Sequence, residues 1–213
     1  MNMSYDPDRT ALLFVDPYND FLSPGGKLWD KVEPIAREVN LHDNLRTILA
    51  AVRAVGINVF IVPHRRWAPD DYQGWDHPTP YQIASAQAQV FAQGSWGGEW
   101  HPDFGPRRRD IVAREHSGAS GFANTDLDYL LKQHRTVDVI VVGLLANTCI
   151  EGTSRFASEL GYRVTLVIDA TAAFSHEAMR AAHELNAPTY AHAVLTTAEL
   201  LQQLGASVAS AVL

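Results

Sequence analysis

Short runs of apolar and β-branched residues recur along the chain at 10–15, 57–62, 110–113, 137–142, 163–168 and 191–196. Most are apolar at consecutive rather than alternate positions, the pattern of strands buried on both faces. Between them, apolar residues at helical spacing predict helices over 41–55, 126–134, 149–160, 175–185 and 198–204. Residues 64–109 break this rhythm with aromatics, Pro and Gly, and only 81–91 there reads as helical. Strands that alternate with helices predict an α/β fold in three layers (α/β/α). The six-stranded, mostly parallel sheet would be doubly wound and Rossmann-like, with right-handed crossovers. No repeat, low-complexity segment or linker interrupts the 213 residues, so one domain over 1–213 is expected.

Charge and composition narrow the picture. A formal net charge of −7 argues against a nucleic-acid surface, and the one basic cluster, Arg107-Arg108-Arg109, reads as a solvated turn. One cysteine excludes a disulfide framework within the chain and suits a reducing cytoplasm. The first residues lack the basic and apolar regions of a signal peptide. No apolar run approaches the roughly 20 residues that span a bilayer. The expectation is a cytoplasmic protein with a small-molecule substrate and neither nucleic acid nor membrane as partner.

That single cysteine, Cys149, falls where a strand hands over to a helix. Thr148 and Glu151 have the spacing of a capping box, which would set Cys149 in the first helical turn, where a thiolate is favoured. Without that context, a lone cysteine is a small core hydrophobe. Asp16 follows the first strand and Pro17 delays any helix, so its carboxylate is placed either to act as a base or to close a turn. The third strand runs into Arg114-Glu115-His116, where a cation either steadies a thiolate or forms an ordinary surface ion pair. Ligands of open α/β sheets bind at such strand ends, so carboxylate, cation and thiol together suggest an activated nucleophile.

These residues lie in segments that resemble the isochorismatase-like cysteine hydrolases, which include nicotinamidases, N-carbamoylsarcosine amidases and ureidoacrylate amidases. The matching segments are Leu12–Asp16 with Asn19-Asp20-Phe21, Ser120–Asp128, Val142–Cys149, and Gly161–Val164 through Asp169–Ala173. The resemblance implies a triad of Asp, Lys and Cys, with Asp16 and Cys149 in two of its places. By spacing from Ser120 the lysine falls on Arg114, which keeps the charge but cannot shuttle a proton. Lys27 and Lys31 lie in the wrong segment. A cis peptide at Leu144-Leu145 and an oxyanion hole formed by the Leu145 and Cys149 amides are also implied.

The expected reaction is hydrolysis of a small amide or ureido C–N bond through a Cys149 thioester. The alternatives are vinyl ether hydrolysis by Asp16 acid catalysis and a binding or assembly protein with a degenerate triad. No cofactor is expected. No metal is expected either: at the site that the resemblance to nicotinamidases marks for ligands, Arg65 and Arg66 follow His64 and would repel a divalent ion, Asp76-His77 comes only later, and no ligand spacing recurs. Tyr18, Phe21, Trp67, His116, Phe122 and Asn147 are candidates for the substrate pocket, and Trp75, Trp96 and Trp100 lie on segments that could reach it. Trp96 to Trp100 reads as a lid or a subunit contact, since the resemblance implies a homodimer or homotetramer.

Overall fold

The computed structural model describes residues 5–211, with side chains to residue 205; residues 1–4, the start of the segment searched for a signal peptide, lie outside it. Its strands are β1 (Thr10–Val15), β2 (Asn58–Val62), β3 (Ile111–Val112), β4 (Asp138–Leu144), β5 (Arg163–Ala172) and β6 (Ala193–Leu195). The helices are α1 (Asn19–Leu22), α2 (Trp29–Glu38), α3 (Leu41–Ala54), α4 (Pro80–Gln87), α5 (Leu127–Gln133), α6 (Glu151–Glu159), α7 (His176–Arg180) and α8 (Thr197–Ala211). The strands form one sheet in the order β3-β2-β1-β4-β5-β6, and every pairing is parallel. No helix among the described residues is long and apolar enough to cross a membrane.

β1 is buried at all six positions because it lies between β2 and β4 with a packed layer on each face. Leu12 and Phe14 share one core with Leu45, Ile48, Leu49 and Val52 of α3, while Ala11, Leu13 and Val15 share the other with Leu127 and Leu131 of α5. The period of two along the strand thus sorts side chains between two cores, and the i, i+3, i+4, i+7 stripe of α3 covers the first.

Three local features depart from the sequence expectation. α2 was not anticipated, since Pro34 reads as a break, yet Trp29, Val32, Ile35 and Ala36 bury one helical face around it. β5 runs four residues beyond the expected end at 168, because a register shift sets Val141 opposite Leu166 but Gly143 opposite Thr171. The irregular segment is used: Asp169 Oδ1 accepts hydrogen bonds from Thr197 N and Oγ1, both at 2.7 Å, and so anchors the start of α8. The capping box at Thr148 and Glu151 does not form. Residues Ala146–Ile150 make a π-helical turn instead, and Glu151 bonds Arg155 and Asn186.

Two half-buried histidines make stability depend on acid pH. Burial pushes His183 down to about 4, and burial with the neighbouring His42 pushes His101 down to about 4. Unfolded histidine titrates near pH 6.5, so between roughly 6.5 and 4 the unfolded chain binds more protons than the folded one. Folded-state pKa values that are lowered therefore make stability fall as pH drops through that window. Thermal melts should show Tm declining from pH 6.5 to 4. The decline should be shallower in His183→Gln, which can keep a hydrogen bond with Thr171.

Candidate active site

The site assembles where β1 and β4 end side by side. Asp16 leaves β1 with φ at +57°, a left-handed conformation that aspartate tolerates, while its N–H bonds Val62 O at 3.0 Å. Gly143 opposes Val15 so closely that a Cβ on it would stand 2.2 Å from Val15 O, and its φ is +114°. Only glycine allows this approach, which brings the end of β4 against the residue before Asp16. The Leu144-Leu145 peptide that follows is cis. The π-helical turn then carries Cys149 into the interior, where its residue is fully buried.

The third group to arrive is His116. Its Nε2 lies 3.1 Å from Asp16 Oδ1 and its Nδ1 2.8 Å from Gly118 O, with both side chains wholly excluded from solvent. Donor atoms of Asp16, His116 and Cys149 all fall within 4.8 Å of one another. Burial pushes the Cys149 thiol far up, and the Asp16 charge adds to this, so the resting group is a thiol and the thiolate expected from a helix start is not favoured. Burial alone would pull His116 down, but the Asp16 charge and hydrogen bond, the Gly118 carbonyl and Glu115 outweigh it and hold the imidazole above its ordinary value.

Arg114 does not reach this cluster. Its side chain is 80 % exposed and faces Asp126, whose Oδ1 also accepts from the Arg114 N–H at 2.7 Å. Arg114 lies two residues beyond Val112, on the same outward face, and a one-residue slip follows it. Phe60 pairs with Ile111 and Ile61 with Val112, so His64 should face residue 115, yet it pairs with His116. Arg114 shares the exposed face of Val112 and points outward in either register; the extra residue instead sets His116, and not Glu115, opposite His64 and turns it to the site.

Tyr81 covers the thiol, with its hydroxyl 3.8 Å from Cys149 Sγ. It is delivered by the start of α4, where Thr79 and Gln82 form a capping box and Gln82 Nε2 donates to Ser117 O at 2.8 Å. Nothing in the 64–109 composition singles out Tyr81 among its many aromatics; the Thr79-Pro80-x-Gln82 helix start was the available signal. His64 is also buried beside the cluster: its ring meets His116 at 5.2 Å, burial pulls it down, and its Nε2 has no hydrogen-bond partner among the described residues. Outside Tyr81 and Thr148 lies a hollow of about 420 Å³ lined also by Thr79, Ala119, Asn147 and Arg155. A larger hollow of about 630 Å³ beside α3 is lined by Arg46, Arg53 and Trp100 and lies away from the thiol.

Of the expected pocket residues, Asn147 lines the hollow outside Tyr81 and Thr148. Trp67 is half-buried, and its backbone is tied to Val90 and Gln93. Tyr18 instead stacks between Phe91 and Trp100, both at 4.7 Å, and its hydroxyl donates to His64 O. Phe21 packs edge-on to Phe91, and Phe122 lies with Tyr162 in the second core and stacks on the exposed Phe156. These three are framework residues. His116, expected to contact substrate, has both ring nitrogens occupied. Trp75 and Trp96 are half-exposed, while Trp100 bridges to Tyr18 and fastens the 88–100 segment to the connection between β1 and α1. Arg65 and Arg66 are paired outward with Asp71 and Glu115, so the repulsion expected around His64 does not operate. Single atoms of Asp16, His116 and Cys149 have the proximity of a ligand set, and His116 Nε2 and Asp16 Oδ1 bond each other.

Known proteins share this arrangement of strands. A cysteine hydrolase from Pseudomonas syringae pv. phaseolicola superposes with a TM-score of 0.79 at 26% identity, covering 96% of both chains. N-carbamoylsarcosine amidase from Thermoplasma acidophilum superposes with a TM-score of 0.64 at 25% identity, covering 89% of this chain and 96% of its own. Ureidoacrylate amidohydrolase RutB of Caulobacter vibrioides is 28% identical over 211 residues, spanning 94% of this chain and 93% of that protein. The isochorismatase domain model matches residues 10–199, and the chain belongs to that family.

Proposed function

We propose that the protein is a cysteine hydrolase that cleaves a small-molecule amide or ureido C–N bond through a thioester on Cys149. The observation that carries this reading is a carboxylate and a thiol brought together in the buried interior, within 4.8 Å, by strands adjacent at the centre of the sheet. Similarity to ureidoacrylate amidohydrolases and to N-carbamoylsarcosine amidase supports the bond type.

Asp16 accepts the thiol proton as sulfur attacks the carbonyl carbon, so no free thiolate accumulates in a site that disfavours one. In this reading the Leu145 and Cys149 amides stabilise the oxyanion. Asp16 then hands the proton to the departing nitrogen as the C–N bond breaks, and water releases the acid from sulfur. A vinyl ether reaction needs only the acid, and it leaves unexplained why a thiol should sit beside it.

The test is to incubate the protein with a panel of primary amides and N-carbamoyl and ureido acids, quench in acid and weigh the peptide that contains Cys149. A substrate-dependent acyl mass on that peptide is expected. Turnover in the panel with no adduct at any quench time would exclude the thioester.

A further inference from the structure

We infer that His116 supplies the positive charge of this site and shares a single proton with Asp16, acting on Cys149 through that carboxylate as a titratable positioning residue. The inference deepens the hydrolase reading and rests on it for its kinetic part. Gly118 O can only accept, so at 2.8 Å from it His116 Nδ1 carries hydrogen. Nε2 then meets Asp16 Oδ1 at 3.1 Å, a contact that requires one proton between them. Imidazolium with carboxylate satisfies it, as does imidazole with carboxylic acid. Asp16 Oδ2 is buried without a hydrogen-bond partner among the described residues, which leaves one oxygen for the thiol proton.

The surroundings favour the ion pair. Cys149 and Tyr81 face the cluster as neutral groups, both pushed up by burial, and Tyr18 beneath it is likewise pushed up. His64, pulled down by burial, does not compete for charge. Glu115 adds a negative charge next in the chain, partly offset by Arg66 at 2.6 Å. His116 remains above its ordinary value in this setting.

The proton balance follows. The thiol proton moves from Cys149 Sγ to Asp16 Oδ2 as the S–C bond forms, while the shared proton stays on His116 Nε2 against Oδ1. Asp16 later passes the thiol proton to the leaving nitrogen. If the pair loses its shared proton at high pH, the carboxylate must take the thiol proton with no cation beside it, and turnover fails. If the pair gains a second proton at low pH, Asp16 cannot accept. A lysine in this place would keep its charge to far higher pH, so the upper edge of the activity profile belongs to His116.

Two measurements test this independently. In the first, uniformly 15N-histidine-labelled protein is titrated by NMR, with His116 assigned by comparison with His116→Gln. A ring protonated on both nitrogens through neutral pH, losing one proton above pH 6.5, is expected; a neutral ring at pH 6 would overturn the proposal whether or not any substrate is known. In the second, pH profiles of kcat/KM are compared. His116→Gln should lose on the order of 100-fold or more. His116→Lys should stay within about tenfold of the parent at its optimum and move the alkaline limb up by a pH unit or more, a rescue that a merely structural histidine does not allow. An alkaline limb that stays in place in His116→Lys, or His116→Gln within about threefold of the parent, would overturn it. If the NMR shows the imidazolium while Cys149 never carries an acyl group, the hydrolase reading falls and the shared proton stands.

Discussion

Cys149→Ala should reduce turnover by a factor on the order of 10⁴ or more while leaving the fold intact. The thiol is the one strong nucleophile in the chain, it is wholly buried, and a carboxylate oxygen lies within 4.8 Å of it. Removing the member of a catalytic unit that forms the covalent bond forfeits nearly all the chemistry, and the other members do not compensate. The fold should tolerate the change because the sulfur's contacts with Tyr81 Oη at 3.8 Å and Thr148 Oγ1 at 3.9 Å are long. Steady-state assays on any amide or ureido compound turned over by the parent, paired with thermal melts, separate the two effects. Retention of full turnover would falsify the thioester route and leave Asp16 acid catalysis as the surviving chemistry.

Gly143→Ala should be the most damaging substitution that touches no reacting group. A methyl at this position would lie 2.2 Å from Val15 O and 2.9 Å from Val15 N, and both belong to the central strand. That backbone is fixed by parallel partners on both sides, so it cannot retreat without breaking the pairing of Val15 with Val62 or with Gly143 itself. The φ of +114° adds a penalty for any side chain. We expect a loss of about 3 kcal/mol or more in urea melts, against a survey norm near 1 kcal/mol for point changes. Activity per folded molecule should fall as well, because the shift separates Asp16 from Cys149. Gly161→Ala provides the contrast: φ is +91° there but no atom lies within 4 Å of the added Cβ, so only a backbone cost of about 1–2 kcal/mol is expected.

Much of the framework was legible because parallel strands buried on both faces write themselves as continuous apolar runs. β1, β2 and β4 lie within a residue or two of where those runs predict them, and Asp16 and Cys149 could be placed at strand ends. α2 was illegible because Pro34 signals interruption locally, whereas burial of Trp29, Val32 and Ile35 decides the matter from elsewhere in the fold. The capping box at Thr148 had the right letters, but the π-helical turn that seats Cys149 leaves Thr148 inside the turn rather than ahead of the helix. His116 was passed over for Arg114 because the slip that selects it depends on pairing with His64, a contact between residues far apart in the chain. Tyr81 and its cover over the thiol depend on Gln82 reaching Ser117, again across a long span.

The slip after β3 also bears on how such chains diverge. Because His116 is defined by its partner across the sheet, the chain can change length here without losing the site. A relative one residue shorter between Val112 and the histidine would run on in regular register and still set the same ring opposite His64. Counterparts of His116 are to be found by asking which side chain stands across from His64, whereas counting back from Ser120 leads to the exposed Arg114.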